Sequence, residues 1–370
     1  MPQPEKYMKM ALTLAAKGIG FVEPNPAVGC VIISGDKIIG KGWHEKFGGP
    51  HAEINAIADC QKNGNDPVGA TMYVTLEPCC HVGKTPACTE AIKNAGIGTV
   101  VSAMKDPTGK VAGKGFEILR DAGIQVDVGL CRDEAVKLNL AFVKYAWTNM
   151  PWVVVKWAQS KDGFLARADG KRWISGQASR DDVQKIRSRC QAILVGINTV
   201  LKDDPLLTVR LREDAEGIGG VRVVLDSKLQ IPIDSKLLKS VGRSGVLIFT
   251  SAVAIQENSG KVEAIRALGG EVVQIENSHG KCNIEQVVDT IGQKGCQQLL
   301  VEGGVEVINS FLDGGLIDEA IIYVTNEKLG SAGRVKASAQ MENLVRNCRN
   351  GGDIEKFGSD QRLRCLLKES

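Results

Sequence analysis

The residues best able to do chemistry together lie between His44 and Cys88. His51-Ala52-Glu53, Pro78-Cys79 and Cys88 supply one imidazole, two thiols and a carboxylate two positions from the imidazole. One nitrogen and two sulfur ligands leave the fourth position of a tetrahedral zinc site open, which is the catalytic arrangement; a structural site takes four protein ligands. Zinc held in this way lowers the pKa of a bound water from ~15.7 to about 7, so hydroxide is available at neutral pH. On an ideal helix two positions subtend about 200°, so His51 and Glu53 cannot face one ion from mid-helix. The pair must therefore open the helix, and Pro50, tolerated in a first turn, agrees with that. A carboxylate so placed, not itself a ligand, can take a proton from the attacking water and return it to a leaving nitrogen. His81 stands as an alternative donor in place of Cys79. Cys30, Cys60, Cys131, Cys190, Cys282, Cys296, Cys348 and Cys365 have no such setting and read as core or surface thiols.

These residues need a scaffold. Up to about Trp147, short β-branched runs alternate with segments of helical period, the pattern of an α/β domain. The expected order is a helix over 5–17, a hairpin of strands 27–33 and 38–42, and a helix over 51–61. A strand at 71–75, a helix at 89–94, a strand at 99–104, a helix at 116–121, a strand at 124–128 and a closing helix over 133–145 complete it. Thr148-Asn149-Met150-Pro151 is polar and ends in a proline that disfavours helix before it, which places a domain boundary there. The expected domains are 1–147 and 148–370. Strands at 152–158, 192–195, 221–225, 246–250, 271–275, 297–301 and 320–324, separated mostly by helical patterns, make the second domain α/β as well. The halves show no internal repeat.

Length and composition agree. A chain of 370 residues favours two domains at ~100–200 residues each. Hydrophobic residues at 43% and charged residues at 24% exclude disordered and fibrous classes. A formal charge of +3 is too small for a broad nucleic-acid or anionic-membrane footprint, so a small-molecule substrate is expected. The longest uncharged run, 244–256, has 13 residues against the ~20 a bilayer crossing needs. Eleven cysteines, an odd number, in a chain with no secretion signal point to a cytoplasmic protein with reduced thiols.

The motifs resemble a known family. Asn25-Pro26-Ala27-Val28-Gly29-Cys30, Gly42-Trp43-His44, Gly49-Pro50-His51-Ala52-Glu53 and the run Glu77-Pro78-Cys79-Cys80-His81-Val82-Gly83-Lys84-Thr85-Pro86-Ala87-Cys88 look like the bifunctional deaminase-reductase of riboflavin biosynthesis. The eight residues between Cys79 and Cys88 set it apart from the general P-C-x-x-C signature of nucleobase deaminases. Lys156 to Gly163, Trp173-Ile174-Ser175-Gly176, Ala192 to Pro205 and Val301-Glu302-Gly303-Gly304 are similar to its reductase half. The resemblance covers about residues 5–330. It implies a cytidine-deaminase-like α/β/α sandwich followed by a dihydrofolate-reductase-like α/β domain. The first would hydrolytically remove the 2-amino group of a diaminopyrimidinone ribosylamino 5'-phosphate; the second would use NADPH to reduce the ribosyl group to ribityl.

By this resemblance His51, Cys79 and Cys88 bind zinc and Glu53 carries the proton. Asn25, His44, His81 and Lys84 contact pyrimidine and phosphate, with Lys171, Arg187, Leu207, Arg210 and Glu302 contacting the substrate of the second step. Ala158, Trp173, Thr199, Asp203, Ser227, Gly304, Val305 and Glu306 are assigned to NADPH, and Arg187 and Arg210 to the substrate phosphate. A homo-oligomer is expected. No G-x-G-x-x-G follows the opening strand of the second half, and the glycines at 109, 113 and 115 miss the P-loop spacing. Gly303-Gly304 instead forms a strand-turn-helix whose amides can receive phosphate oxygens, though a plain turn explains the same glycines. Departures from the family are Cys80, Lys161, Lys171, a short loop over 167–172 and a divergent tail over 330–358, with a closing strand expected at 357–367. Two alternatives stand beside this reading: a deaminase whose second domain serves only oligomerisation, and a zinc-stabilised binding module.

Overall fold

The computed structural model describes residues 3–80, 87–109, 112–171, 173–209, 220–278 and 280–367. His81, Lys84 and Arg210 therefore lie outside the described residues, as does Arg172 of the short loop. The chain divides into two compact units, Met1–Thr148 and Asn149–Ser370.

The first unit runs α1 (Gln3–Ala15), β1 (Gly29–Ser34), β2 (Lys37–Trp43), α2 (Ala52–Lys62), β3 (Thr71–Val74), α3 (Cys88–Asn94), β4 (Thr99–Ser102), α4 (Lys114–Asp121), β5 (Gln125–Val128), α5 (Arg132–Leu138) and α6 (Leu140–Thr148). Its strands form a sheet of order β2-β1-β3-β4-β5, antiparallel around β1 and parallel from β3 to β5. Alternate residues face opposite sides of a strand. Cys30, Ile32, Met72 and Val74 accordingly join Ala52, Ala56, Ile92 and Leu119 of α2, α3 and α4 in one core. Val31, Ile33 and Tyr73 join Tyr7, Met8, Ala11, Ala135 and Val143 of α1, α5 and α6 in another. The result is a three-layer α/β/α sandwich in which each fully buried aliphatic side chain contributes ~1.5–3 kcal/mol.

Close backbone contact sets where α2 begins. A Cβ at Gly42 would lie 2.3 Å from the Ala56 nitrogen and 2.5 Å from the Ala52 oxygen, and one at Gly40 would lie 2.4 Å from the Ala56 oxygen. Two side-chain-free positions on β2 thus let α2 rest directly on the strand. The helix expected over 133–145 is instead two helices broken at Asn139 (φ −122°, ψ 29°). The buried Asn139 amide accepts from the Ala27 N–H at 2.8 Å and donates to the Ala27 oxygen at 3.0 Å. That long-range partner leaves no trace in the local periodicity.

The second unit runs β6 (Trp152–Gln159), β7 (Phe164–Arg167), α7 (Gln177–Arg189), β8 (Ala192–Gly196), α8 (Ile197–Asp203), β9 (Val221–Leu225), α9 (Lys236–Lys239), β10 (Val246–Thr250), α10 (Ala252–Glu257), α11 (Ser259–Ala267), β11 (Glu271–Gln274), β12 (Asn277–Ser278), β13 (Lys281–Cys282), α12 (Ile284–Gln293), β14 (Gln298–Val301), α13 (Val305–Asp313), β15 (Glu319–Val324), β16 (Gly333–Lys336), α14 (Ala339–Gly351), β17 (Asp353–Phe357) and β18 (Asp360–Leu366). Its main sheet has the order β11-β10-β9-β8-β14-β6-β15-β18-β17. It is parallel from β11 to β15, with β18 and β17 added antiparallel. The near-continuous apolar runs Val153-Val154-Val155 and Ala192 to Val195 are buried, as a sheet covered on both faces requires.

Two expectations are corrected. The tail does not add one strand over 357–367 but a hairpin, β17 and β18, preceded by α14, whose Met341, Leu344, Val345 and Cys348 enter the core. Cys348 and Cys365 are not separate thiols: they are joined as a disulfide with a Cα–Cα distance of 5.1 Å. They meet because α14 packs back onto β18, a contact that composition does not reveal.

The packing of α2 on β2 carries a direct test. Gly42→Ala forces the helix off the strand and should destabilise the protein by about 1–3 kcal/mol in denaturant unfolding; an unchanged midpoint would contradict this account.

Candidate active sites

His51 is the N-cap of α2 (φ −74°, ψ 167°) and Glu53 lies in the helix's first turn, so the pair does open a helix. Cys88 begins α3, and Cys79 lies just beyond β3 in a segment tied to α3 by the Thr89 N–H on the Cys79 oxygen at 3.2 Å. These elements bring the three donors together. Nδ1 of His51 is 3.5 Å from Sγ of Cys79 and 3.3 Å from Sγ of Cys88, and the ligand atoms of the three residues all lie within 4.8 Å of one another. Among the described residues no other such group of donors occurs.

The electrostatics follow from that crowding. The Cys88 thiol donates toward Cys79 and draws the Cys79 thiol down to about 4 against the effect of burial, with His51 adding to the shift. Cys88, which keeps the shared proton and is buried near Glu53, is pushed far up. The bond to Cys79 raises His51 above its ordinary value despite burial. Glu53 is 3% exposed, and burial, reinforced by the Cys79 charge, pushes its carboxyl up to about 7. Two sulfurs competing for one proton beside an imidazole are a donor set suited to a divalent cation, which would relieve the competition. The chemistry of the set fits zinc.

Next to it Nδ1 of His44 is 2.9 Å from the Pro50 oxygen and Nε2 is 3.1 Å from Nδ2 of Asn25. A carbonyl only accepts, so Nδ1 carries the hydrogen and Nε2 accepts from Asn25. Burial lowers His44 below its ordinary value, consistent with that neutral tautomer. The His44 and His51 rings meet edge-on with centroids 5.3 Å apart. Asn25 is thereby held with Oδ1 as the acceptor it can offer a substrate N–H.

In the second unit the expected cofactor residues other than Trp173 lie at or beyond the carboxyl ends of parallel strands, where open α/β sheets bind ligands. Ala158 is at the end of β6, Thr199 and Asp203 lie in α8 after β8, Ser227 follows β9, and Gly304 caps α13 with Val305 and Glu306 in its first turn. A Cβ at Gly304 would meet nothing within 4 Å, so this helix start is open to a phosphate. That fits a dinucleotide.

Among the expected substrate residues, Glu302 and Arg187 bind each other. Nε and Nη2 of Arg187 donate to the two Glu302 oxygens at 2.6 and 3.0 Å, and Nη1 donates to the Thr208 oxygen at 3.2 Å. The Arg187 guanidinium is thus engaged by two carboxylate oxygens and one backbone carbonyl. Leu207 is buried with φ +54°, and Lys171 is exposed with its backbone N–H on Asp169. Trp173 is 52% exposed with the Arg180 guanidinium 5.1 Å from its ring.

One residue of the cluster was absent from the expected set. Val301 pairs with Val155, which sets Lys156 beside Glu302, and Nζ of Lys156 donates to Glu302 at 3.1 Å. Burial opposes ionisation of Glu302, but the Lys156 and Arg187 cations hold it well below the usual carboxylate range. The signal lay in Val153-Val154-Val155-Lys156-Trp157: a charge inside an apolar buried strand demands a partner.

Comparison with known proteins gives these two sites a common setting. Residues 1–104 match the cytidine and deoxycytidylate deaminase zinc-binding region, and residues 151–358 match the RibD C-terminal domain. The riboflavin biosynthesis protein RibD of Aquifex aeolicus is 39% identical over 88% of this chain and 88% of its own length. The Escherichia coli protein of the same name is 37% identical over 90% of each. The solved structure of Acinetobacter baumannii RibD superposes with a TM-score of 0.83 at 36% identity, covering 99% of both chains. A Thermotoga maritima structure, described as a diaminohydroxyphosphoribosylaminopyrimidine deaminase and 5-amino-6-(5-phosphoribosylamino)uracil reductase, has a TM-score of 0.78 at 33% identity over 98% of both. With a deaminase zinc-binding unit and a reductase unit in one chain, at this identity over nearly its whole length, the protein belongs to the RibD family, the bifunctional zinc- and NADPH-dependent deaminase-reductases of riboflavin biosynthesis.

Proposed function

We propose that His51, Cys79 and Cys88 hold the zinc ion and that Glu53 moves the proton in removal of the 2-amino group from a diaminopyrimidinone ribosylamino 5'-phosphate. The observation that carries this reading is the convergence of the three donor atoms within 4.8 Å beside a buried carboxylate. Zinc there supplies an acidified water at neutral pH. Glu53 takes the proton of the attacking water and passes it to the departing amino nitrogen, a transfer that burial assists by raising its proton affinity. Oδ1 of Asn25, oriented by His44, accepts a pyrimidine N–H and fixes the ring. His81 and Lys84 belong to the phosphate end of this reading.

The second unit reduces the ribosyl group to ribityl. NADPH supplies the hydride. The open first turn of α13, with Thr199, Asp203 and Ser227, would receive the cofactor's polar groups, while Lys156, paired with Glu302, is the proton donor at the reacting end. Arg187 fixes Glu302 rather than the phosphate, which falls to Arg210. No described helix is long and apolar enough to cross a membrane. A cytoplasmic homo-oligomer acting on free metabolites completes the reading, and the edge strand β17 offers a surface for self-association.

Two experiments follow. Glu53→Gln should retain zinc by metal analysis and lose ammonia release by about 10²–10⁴-fold, with NADPH-dependent reduction of the deaminated product intact. Loss of both activities, or of neither, would contradict separate sites. Lys156→Met should lower reductase kcat by about 10²-fold or more while NADPH titration by fluorescence stays unchanged. Unaltered kcat would remove Lys156 from the chemistry, and a wild-type chain that binds no NADPH would favour a second unit that serves only association.

A further inference from the structure

The glycines at 113 and 115 do bind an anion, and it comes from the chain itself. Glu77 is 3% exposed. Its Oε1 accepts from the N–H groups of Gly113 and Gly115, both at 2.9 Å, and its Oε2 accepts from Gly113 at 2.9 Å and from Asp106 at 3.0 Å. Gly113 is the N-cap of α4 in the left-handed region (φ +98°) and brings no side chain to cap the helix. The Glu77 carboxylate fills that role from 36 residues away in sequence, at the helix end whose dipole favours negative charge. A second contact is independent of the first: a Cβ at Gly115 would lie 2.2 Å from the Pro78 oxygen. The first turn of α4 therefore rests against Glu77 and Pro78 together, and Cys79 is the next residue.

We infer that Glu77 is a positioning residue for the zinc ligand Cys79, its carboxylate seated in the Asp106, Gly113 and Gly115 amides so that the Pro78-Cys79 segment is braced before the metal arrives. Cys79 is thus held from two sides. Downstream, the Thr89 N–H reaches its carbonyl at 3.2 Å and the Cys88 N–H reaches its Sγ at 3.4 Å. Upstream, the Glu77 backbone N–H bonds the Met104 oxygen at 3.0 Å while its side chain grips α4. Groups that orient a metal ligand are worth about 10–100-fold in metal affinity. An ordinary helix cap would change stability and leave the affinity of the folded site alone.

The inference rests on the zinc reading of His51, Cys79 and Cys88, and the test separates the two. Zinc affinity of the full chain is measured by chelator competition in wild type, Glu77→Ala, Glu77→Gln and Gly115→Ala, with circular dichroism and protease resistance of the first unit as the check on folding. Glu77→Ala should weaken zinc binding about 10–100-fold, and Glu77→Gln, which keeps one acceptor oxygen, should weaken it less. Added formate, a free carboxylate able to enter the emptied amide nest, should restore affinity in Glu77→Ala and leave wild type unmoved. Gly115→Ala, which pushes α4 off Pro78 with Glu77 intact, should weaken binding without formate rescue. Wild-type affinity in Glu77→Ala, or a loss that formate leaves in place, overturns the inference. If Glu77→Ala does not fold, Glu77→Gln decides, since unchanged affinity there overturns it and weakened affinity supports it. A wild-type chain that binds no zinc defeats the ligand reading; a wild type that binds zinc no more tightly than the variants defeats this inference alone.

Discussion

Two sulfurs and an imidazole nitrogen held within 4.8 Å of one another, next to a buried carboxylate, are the constraint around which the first unit is organised. Such a cluster is costly without a cation, because the thiols must share a proton and Glu53 cannot be fully ionised among them. The fold meets that cost with rigid approach. Gly40 and Gly42 let α2 lie on β2, α3 starts at Cys88 itself, and Asn139 clamps both backbone groups of Ala27, two residues from Asn25. His51 and Cys88 enter from the N-terminal ends of helices, where backbone groups remain to be satisfied, and Cys79 enters from the loop that follows β3.

The second unit solves a different problem. Its parallel strands end together, and Ala158, Thr199, Asp203, Ser227 and Gly304, the residues proposed for the cofactor, lie at or just beyond those ends. At the centre Glu302 lies between Lys156 and Arg187. Buried charges of this kind persist only when paired, and removing one partner leaves the others uncompensated. Lys156 and Arg187 together supply the counter-charge that the buried Glu302 carboxylate needs.

How much of this could be read from sequence depended on where each residue's partner lies. The H-x-E pair after a proline fixed its own place at a helix start, because angular spacing on a helix is a local property. Alternating and continuous apolar runs marked the strands for the same reason. The roles of Asn139 and Glu77 were not legible, and Lys156 showed only that it needs a partner, not which one: the partners are backbone groups or side chains 112, 36 and 146 residues away. The Cys348–Cys365 bond was missed likewise, since α14 and β18 meet only in the folded core. Glycines were the informative exception in retrospect. Those at 113 and 115 failed as a phosphate loop because the anion they hold is already part of the chain.

The most direct test of the central claim is X-ray absorption at the zinc edge of the metal-loaded, full-length protein. The account predicts two sulfur and two lighter scatterers in the first shell, one of them showing the multiple-scattering pattern of an imidazole. Three or four sulfurs, or a shell with none, would contradict it.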